Sequence, residues 1–94
     1  MNAGALGPAS CPALARGVKL RFDEARQQWM LNAPERVLVL DEIAHIILSR
    51  FDGAISIDAV CRELALEFAA PQDIIQADVM DMLQEMTHRG FIRI

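Results

Sequence analysis

Basic residues are scarce in this chain: nine Lys and Arg stand against thirteen Asp and Glu, leaving a net charge of −4 over 94 residues. Phosphate backbones are held by clustered cations that release counterions, so a nucleic-acid role has little to rest on. Cysteine is nearly absent. Cys11 lies in an Ala-, Gly- and Pro-rich start and Cys61 at a core-facing helical position, far apart in sequence, so no disulfide is expected. No Cys-x-x-Cys spacing and no Gly-rich phosphate loop occur. Long apolar runs are missing too, and none approaches the roughly 20 residues of a membrane-spanning helix. The first residues lack the basic start and apolar core of a signal peptide, and the chain reads as cytoplasmic. What is present is 53% hydrophobic residues with only 5% aromatic, the composition of one ordered, mildly acidic domain with a single core.

Residues 1–13, rich in Ala, Gly, Pro and Ser, read as a flexible N-terminal arm, with a single folded domain over 14–94. From Val18 the pattern alternates: Val18, Leu20 and Phe22 on one face, Lys19, Arg21 and Asp23 on the other, as in a strand with one wet face. Gln28 to Asn32 is the returning strand of a hairpin. The break between them, Glu24 to Gln27, has no Gly for a tight turn, which predicts a loose hairpin or one exchanged with a neighbouring molecule. Pro34 then makes a bend before the most informative segment, Val37-Leu38-Val39-Leu40. Half-buried strands alternate and this one does not, so both of its faces call for cover that a chain this small has little material to supply.

Asp41 is placed to cap a first helix with Ile43, Ala44, Ile47, Leu48 and Phe51 inward, stopped at Gly53. Ser56 caps a second, with Ile57, Val60, Cys61, Leu64, Ala65 and Phe68 inward. Pro71 opens a third, with Ile75, Val79, Met82, Leu83 and Met86 inward and Gly90 as its stop. The apolar tail Phe91 to Ile94 is expected to fold back on the core. Three strands followed by three helices predict an α+β domain, a three-stranded antiparallel sheet with helices on one face in a winged-helix-like arrangement.

Two Glu-x-x-His spacings, Glu42 to His45 and Glu85 to His88, match the ligand pair that di-iron bundles use twice. Such a site also needs a Glu from each of two further long helices, and the first half of this chain reads as strands. No metal and no cofactor are expected. Neither Ser49, Ser56, Cys61 nor Thr87 sits in a nucleophile elbow, so catalysis by this chain alone is not expected. The helix-turn-helix order of the second half suits DNA, yet the second helix sets Asp58, Glu63 and Glu67 against Arg62, and the third carries Asp73, Asp78, Asp81 and Glu85. Met80, Met82 and Met86 cluster on the third helix and fit either core packing or an adaptable peptide-accepting surface. The apolar stripe does not need Met80, which is expected exposed beside Asp78 and Asp81.

The ordered set Pro12, Leu14, Gly17-Val18, Leu20-Arg21, Asp23, Leu31, Pro34-Glu35, Leu38, Leu40-Asp41, Ile47-Leu48, Asp52-Gly53, Leu64, Asp78-Val79, Leu83 and Gly90 resembles the PqqD family, coenzyme PQQ synthesis protein D. The resemblance spans about residues 12–92. It implies a peptide-binding domain of the RiPP recognition element type in pyrroloquinoline quinone (PQQ) biosynthesis. Such a protein is a non-catalytic chaperone: it binds the precursor peptide PqqA by strand addition and presents it to PqqE, a radical SAM enzyme that crosslinks a Glu and a Tyr of the peptide. Carried onto this chain, the peptide lies beside Arg36, Val37, Leu38, Val39 and Leu40 in a groove shared with Ile75, Asp78, Val79, Met82 and Leu83 of the third helix. The protein would be a monomer or a homodimer. The alternatives are a recognition domain for another ribosomal peptide pathway and a winged-helix DNA-binding regulator, which would need a basic face.

Overall fold

The computed structural model describes residues 6–94, and its elements run β1 (Ala13–Leu14), β2 (Lys19–Asp23), β3 (Gln28–Ala33), β4 (Arg36–Leu40), α1 (Glu42–Ser49), α2 (Ile57–Phe68), α3 (Gln72–His88) and β5 (Ile92–Arg93). The α+β architecture is as expected: β2, β3 and β4 form an antiparallel sheet in that order, followed by three helices. A second, two-stranded sheet pairs β1 with β5 and was not foreseen.

The glycine-free hairpin turns out to be regular. Asp23 Oδ1 accepts the backbone N–H groups of Ala25 and Arg26 at 3.0 and 3.3 Å, a local Asx turn. Gln27 takes the positive φ of 55° that a glycine would have supplied. Five positions then pair in register, from Lys19 with Asn32 to Asp23 with Gln28. Between β3 and β4, Pro34 and Glu35 make a two-residue turn closed by Ala33 and Arg36, with Glu35 at φ 64°. Pro followed by a positive φ is the type II pattern, here without the customary Gly.

Asp41 caps α1, its Oδ1 accepting the Ala44 N–H at 2.7 Å, and Ser56 caps α2 through the Ala59 N–H at 3.1 Å. Residues of the segment read as an arm also serve α2. The carbonyls of Pro8 and Ser10 accept from Asp58 and Ile57, both at 2.9 Å, filling helix-start donors that otherwise lack partners. The Pro12 carbonyl accepts from Gly53 at 3.0 Å, and Ala13 is already in β1. Residues 1–5 of that segment lie outside the described residues.

One core joins sheet and helices: Leu31, Ile57, Val60, Cys61, Leu64, Val79, Leu83 and Phe91 are all but inaccessible. Phe91 and Ile92 fold back into it as expected. Three side chains depart from their expected sides. Ile43 and Phe68, assigned inward by periodicity, are exposed, because each sits at a helix end that overhangs its neighbours. Met80, expected on the surface, is half-buried and packs on the core. Arg50 ties α1 to α2 by donating to both Glu67 carboxylate oxygens at 2.6 and 2.9 Å, and this bond holds the Glu67 carboxyl below its ordinary range.

Candidate functional site

Among the described residues the sheet ends in two unpaired edges, β2 and β4, and their chemistry differs. Strand β2 carries Lys19, Arg21 and Asp23, charges that discourage a further strand. Beyond Arg36, β4 is wholly apolar. Its hydrogen-bond pattern follows from the turn. A two-residue hairpin makes Ala33 and Arg36 a closely bonded pair, and bonded and non-bonded pairs alternate from there. Arg36, Leu38 and Leu40 therefore point their backbone groups toward β3. Val37 and Val39 point theirs outward, where no backbone partner meets them among the described residues. Two residues of one strand thus offer two donors and two acceptors in a row.

The two ends of β4 meet different surroundings. At one end the Arg36 guanidinium lies over the Phe91 ring at 4.2 Å, with Arg89 over the same ring at 5.4 Å. At the other end, where β4 passes into α1, an open cavity of about 280 Å³ is lined by Ile43, Ile46 and Ile47 of α1, Phe68 of α2, and Ile74, Ile75, Asp78 and Val79 of α3, among others. Its walls are apolar except for Asp78. Ile43, Phe68 and Ile74 stand on its rim at 58%, 50% and 57% exposure, an unusual cost in water for three large side chains so close together.

The residues implied by resemblance fall into three groups. Arg36, Val37 and Val39 are exposed and Leu38 is half-buried, all on the open edge; Leu40 is buried beneath its end. Ile75, Asp78 and Val79 come together in the cavity wall. Met82 is half-buried one turn farther along α3, and Leu83 is fully buried in the core, supporting the helix without facing the cavity. Sequence reasoning missed Ile46 and Ile74 as cavity residues. The signal for them was present: Ile46-Ile47 and Ile74-Ile75 are doublets, and one apolar stripe needs only one of each.

Electrostatically, Asp73, Asp78, Asp81 and Glu85 are exposed along α3 and make no ion pair among the described residues. The Glu-x-x-His pairs are otherwise engaged or exposed. His45 stacks on Trp29 with ring centroids 3.7 Å apart and planes 9° from parallel, and no three His, Cys, Asp or Glu side chains gather as a metal set among the described residues. Cys61 is buried and its thiol is pushed up by that burial, with the charge of Asp58 adding to the effect. Both cysteines are free.

With this geometry in view, comparison with known proteins is direct. The family model for coenzyme PQQ synthesis protein D matches residues 28–92. A protein of Rhodopseudomonas palustris named PqqA binding protein is 50% identical over 84 residues, which are 89% of this chain and 82% of the relative. A protein of the same name from Xanthomonas oryzae is 45% identical over 83 residues, covering 88% and 90%. Among solved structures, the PqqD portion of Methylobacterium extorquens PqqCD, described as a functional, stand-alone RiPP recognition element, superposes with a TM-score of 0.83 at 34% identity over the whole of both chains. PqqD from Xanthomonas campestris superposes with a TM-score of 0.60 at 40% identity, covering 95% and 99%. From the open β4 edge and its apolar cavity to the matched residues and superposed folds, the findings agree: the chain belongs to the PqqD family.

Proposed function

We propose that this protein is a non-catalytic peptide chaperone of PQQ biosynthesis, acting in the cytoplasm, that binds the precursor peptide PqqA and presents it to the radical SAM enzyme PqqE. The observation that carries the reading is the β4 edge, uncharged beyond Arg36 and with the outward backbone groups of Val37 and Val39 unpaired among the described residues. A peptide added there as a strand gains main-chain hydrogen bonds whatever its sequence, and pockets under alternate side chains select among sequences. The α1–α2–α3 cavity is one such pocket, and its lining takes a large apolar side chain. Asp78 and its acidic neighbours on α3 favour basic groups on the same peptide.

In this reading Arg36 to Leu40 form the strand wall, Ile75, Asp78, Val79 and Met82 the helix wall, and Leu83 holds that wall from behind. Residues 14–94 are the binding domain, with the preceding segment bracing α2. No co-reactant of this protein is needed, because binding alone orders the peptide for the enzyme. The test is a reconstituted reaction: PqqE, PqqA and this protein, with the Glu–Tyr crosslink followed by mass spectrometry. Crosslinking that rises with this protein up to one equivalent supports the proposal. A rate unchanged by the protein, with no measurable PqqA binding, rejects it.

A further inference from the structure

The sheet has a second face that peptide binding leaves unexplained. On the side away from the core, register places Lys19, Asn32 and Val37 in one row and Arg21, Met30 and Val39 in the next. Val37 and Val39 are 58% and 51% exposed there, and the non-alternating run 37–40 owes its oddity to them. Among the described residues α1 is the helix that meets β3 and β4, and it packs on the other side of the sheet, where Leu31 and Leu40 are buried. This face is also cationic against the trend of a chain with net charge −4. Lys19 and Arg21 are exposed and make no ion pair among the described residues, whereas Arg26, Arg50 and Arg62 do. Neither row carries a carboxylate, and Asp23, paired with Gln28 at the far end of β2, is occupied by the turn and by Arg26.

We propose that this outer face, Lys19, Arg21, Met30, Val37 and Val39, is the docking surface for the peptide-modifying enzyme, through a patch on that enzyme in which carboxylates surround an apolar contact. The inference rests on the presentation reading above and adds where presentation happens. Two physical points favour a protein so charged. An apolar centre with cationic edges is matched by an apolar centre with anionic edges. Continuity supplies the second: a peptide strand added to β4 extends this same face, because alternate peptide side chains point to the α3 groove and to the outer side. A partner resting on the outer face therefore touches Val37, Val39 and the outward side chains of the peptide together. It reads a composite surface that exists only when the peptide is bound. Affinity for the enzyme must then rise with peptide present, and affinity for the peptide must rise equally with enzyme present. The acidic α3 side stays free for the peptide, so the two partners do not compete for charge.

The test uses the full chain, PqqA and PqqE, with the double variant Lys19→Glu/Arg21→Glu and the neutral double variant Lys19→Gln/Arg21→Gln as a milder check. Both positions are exposed and outside the peptide edge. The expected result is tenfold or greater loss of PqqE affinity for the charge-reversed protein, a smaller loss for the neutral one, PqqA affinity within twofold of wild type, and wild-type PqqE affinity that increases when PqqA is added. Unchanged PqqE affinity in both variants overturns the proposal. So does an equal loss of PqqA and PqqE binding, which would make the face part of the peptide site. Wild-type protein that binds PqqA and not PqqE overturns the docking inference while leaving peptide binding intact; wild-type protein that binds neither rejects the presentation reading itself. Concentration-dependent dimerisation abolished by the charge reversal, with PqqE binding unaltered, would assign the face to a second copy of this chain and overturn the proposal.

Discussion

Val39→Pro separates the two jobs of β4. The Val39 N–H points away from β3, so proline at this position removes no ladder bond within the sheet. The side chain is half exposed, and exchanging one small apolar group for another at such a site costs less than about 1 kcal/mol in folding. Peptide binding is another matter. An added strand loses one donor, and its own carbonyl is left facing a ring without a partner, a loss of about 1–3 kcal/mol or roughly 5- to 150-fold in Kd. Leu38→Pro is the contrasting variant. Its N–H faces β3 opposite the fully buried Leu31, so the same chemical change orphans an internal acceptor and lowers folding stability by about 1–3 kcal/mol. For a domain of this size that corresponds to a fall in Tm of roughly 4–8 °C for each kcal/mol. Thermal melts of both variants together with calorimetric titration of PqqA decide the matter. If Val39→Pro melts as early as Leu38→Pro, or binds PqqA as well as wild type, the outward assignment of the Val39 backbone is wrong.

Three further outcomes follow from the same geometry. Peptide affinity is expected to fall as salt rises from 50 to about 500 mM, since screening shortens to within a few ångströms over that range, and Asp78→Asn should flatten the dependence; an affinity indifferent to salt removes α3 charge from the account. Glu35→Gly is expected to raise stability by about 0.5–1 kcal/mol, because Glu35 holds a positive φ that glycine adopts freely; chemical denaturation showing no gain would mean the turn is not strained. The Glu67 carboxyl, held down first by its hydrogen bonds to Arg50, is expected to titrate below the ordinary 4.5, with Arg50→Ala returning it to normal. A depressed carboxyl stabilises the fold above its unfolded value and loses that contribution as pH falls through the folded value, so the melting difference between the wild type and Arg50→Ala should be slight at neutral pH and shrink as pH falls below the folded value.

Much of this site was legible before any coordinates. The unbroken run Val37 to Leu40 marked a strand needing cover on both sides, and β4 does present an open edge and an uncovered outer face. The acid-rich third helix was equally plain. Periodicity, however, names a face of a helix and not its neighbour. Ile43 and Phe68 obey the stripe and still stand in water at the cavity rim, because α1 is only two turns long and α2 ends there. The cavity itself depends on how three helices cross, which no local pattern encodes. Two-residue strands such as β1 and β5 carry no period at all. The positive φ values of Gln27, Glu35 and Ala69 escaped notice for a related reason: glycine is the usual signal, and here the surrounding pairing and caps hold ordinary residues in that conformation.

The central claim, strand addition at β4 beside α3, is tested most directly by titrating isotope-labelled protein with synthetic PqqA and following backbone amides by NMR. The amides of Val37 and Val39 should shift downfield and become protected from exchange as they gain partners, with accompanying shifts at Ile75, Asp78 and Met82, while those of Leu38 and Leu40, already bonded to β3, stay protected throughout. Saturating peptide that leaves the Val37 and Val39 amides exchanging as before, or that moves residues on β2 instead, would contradict the account.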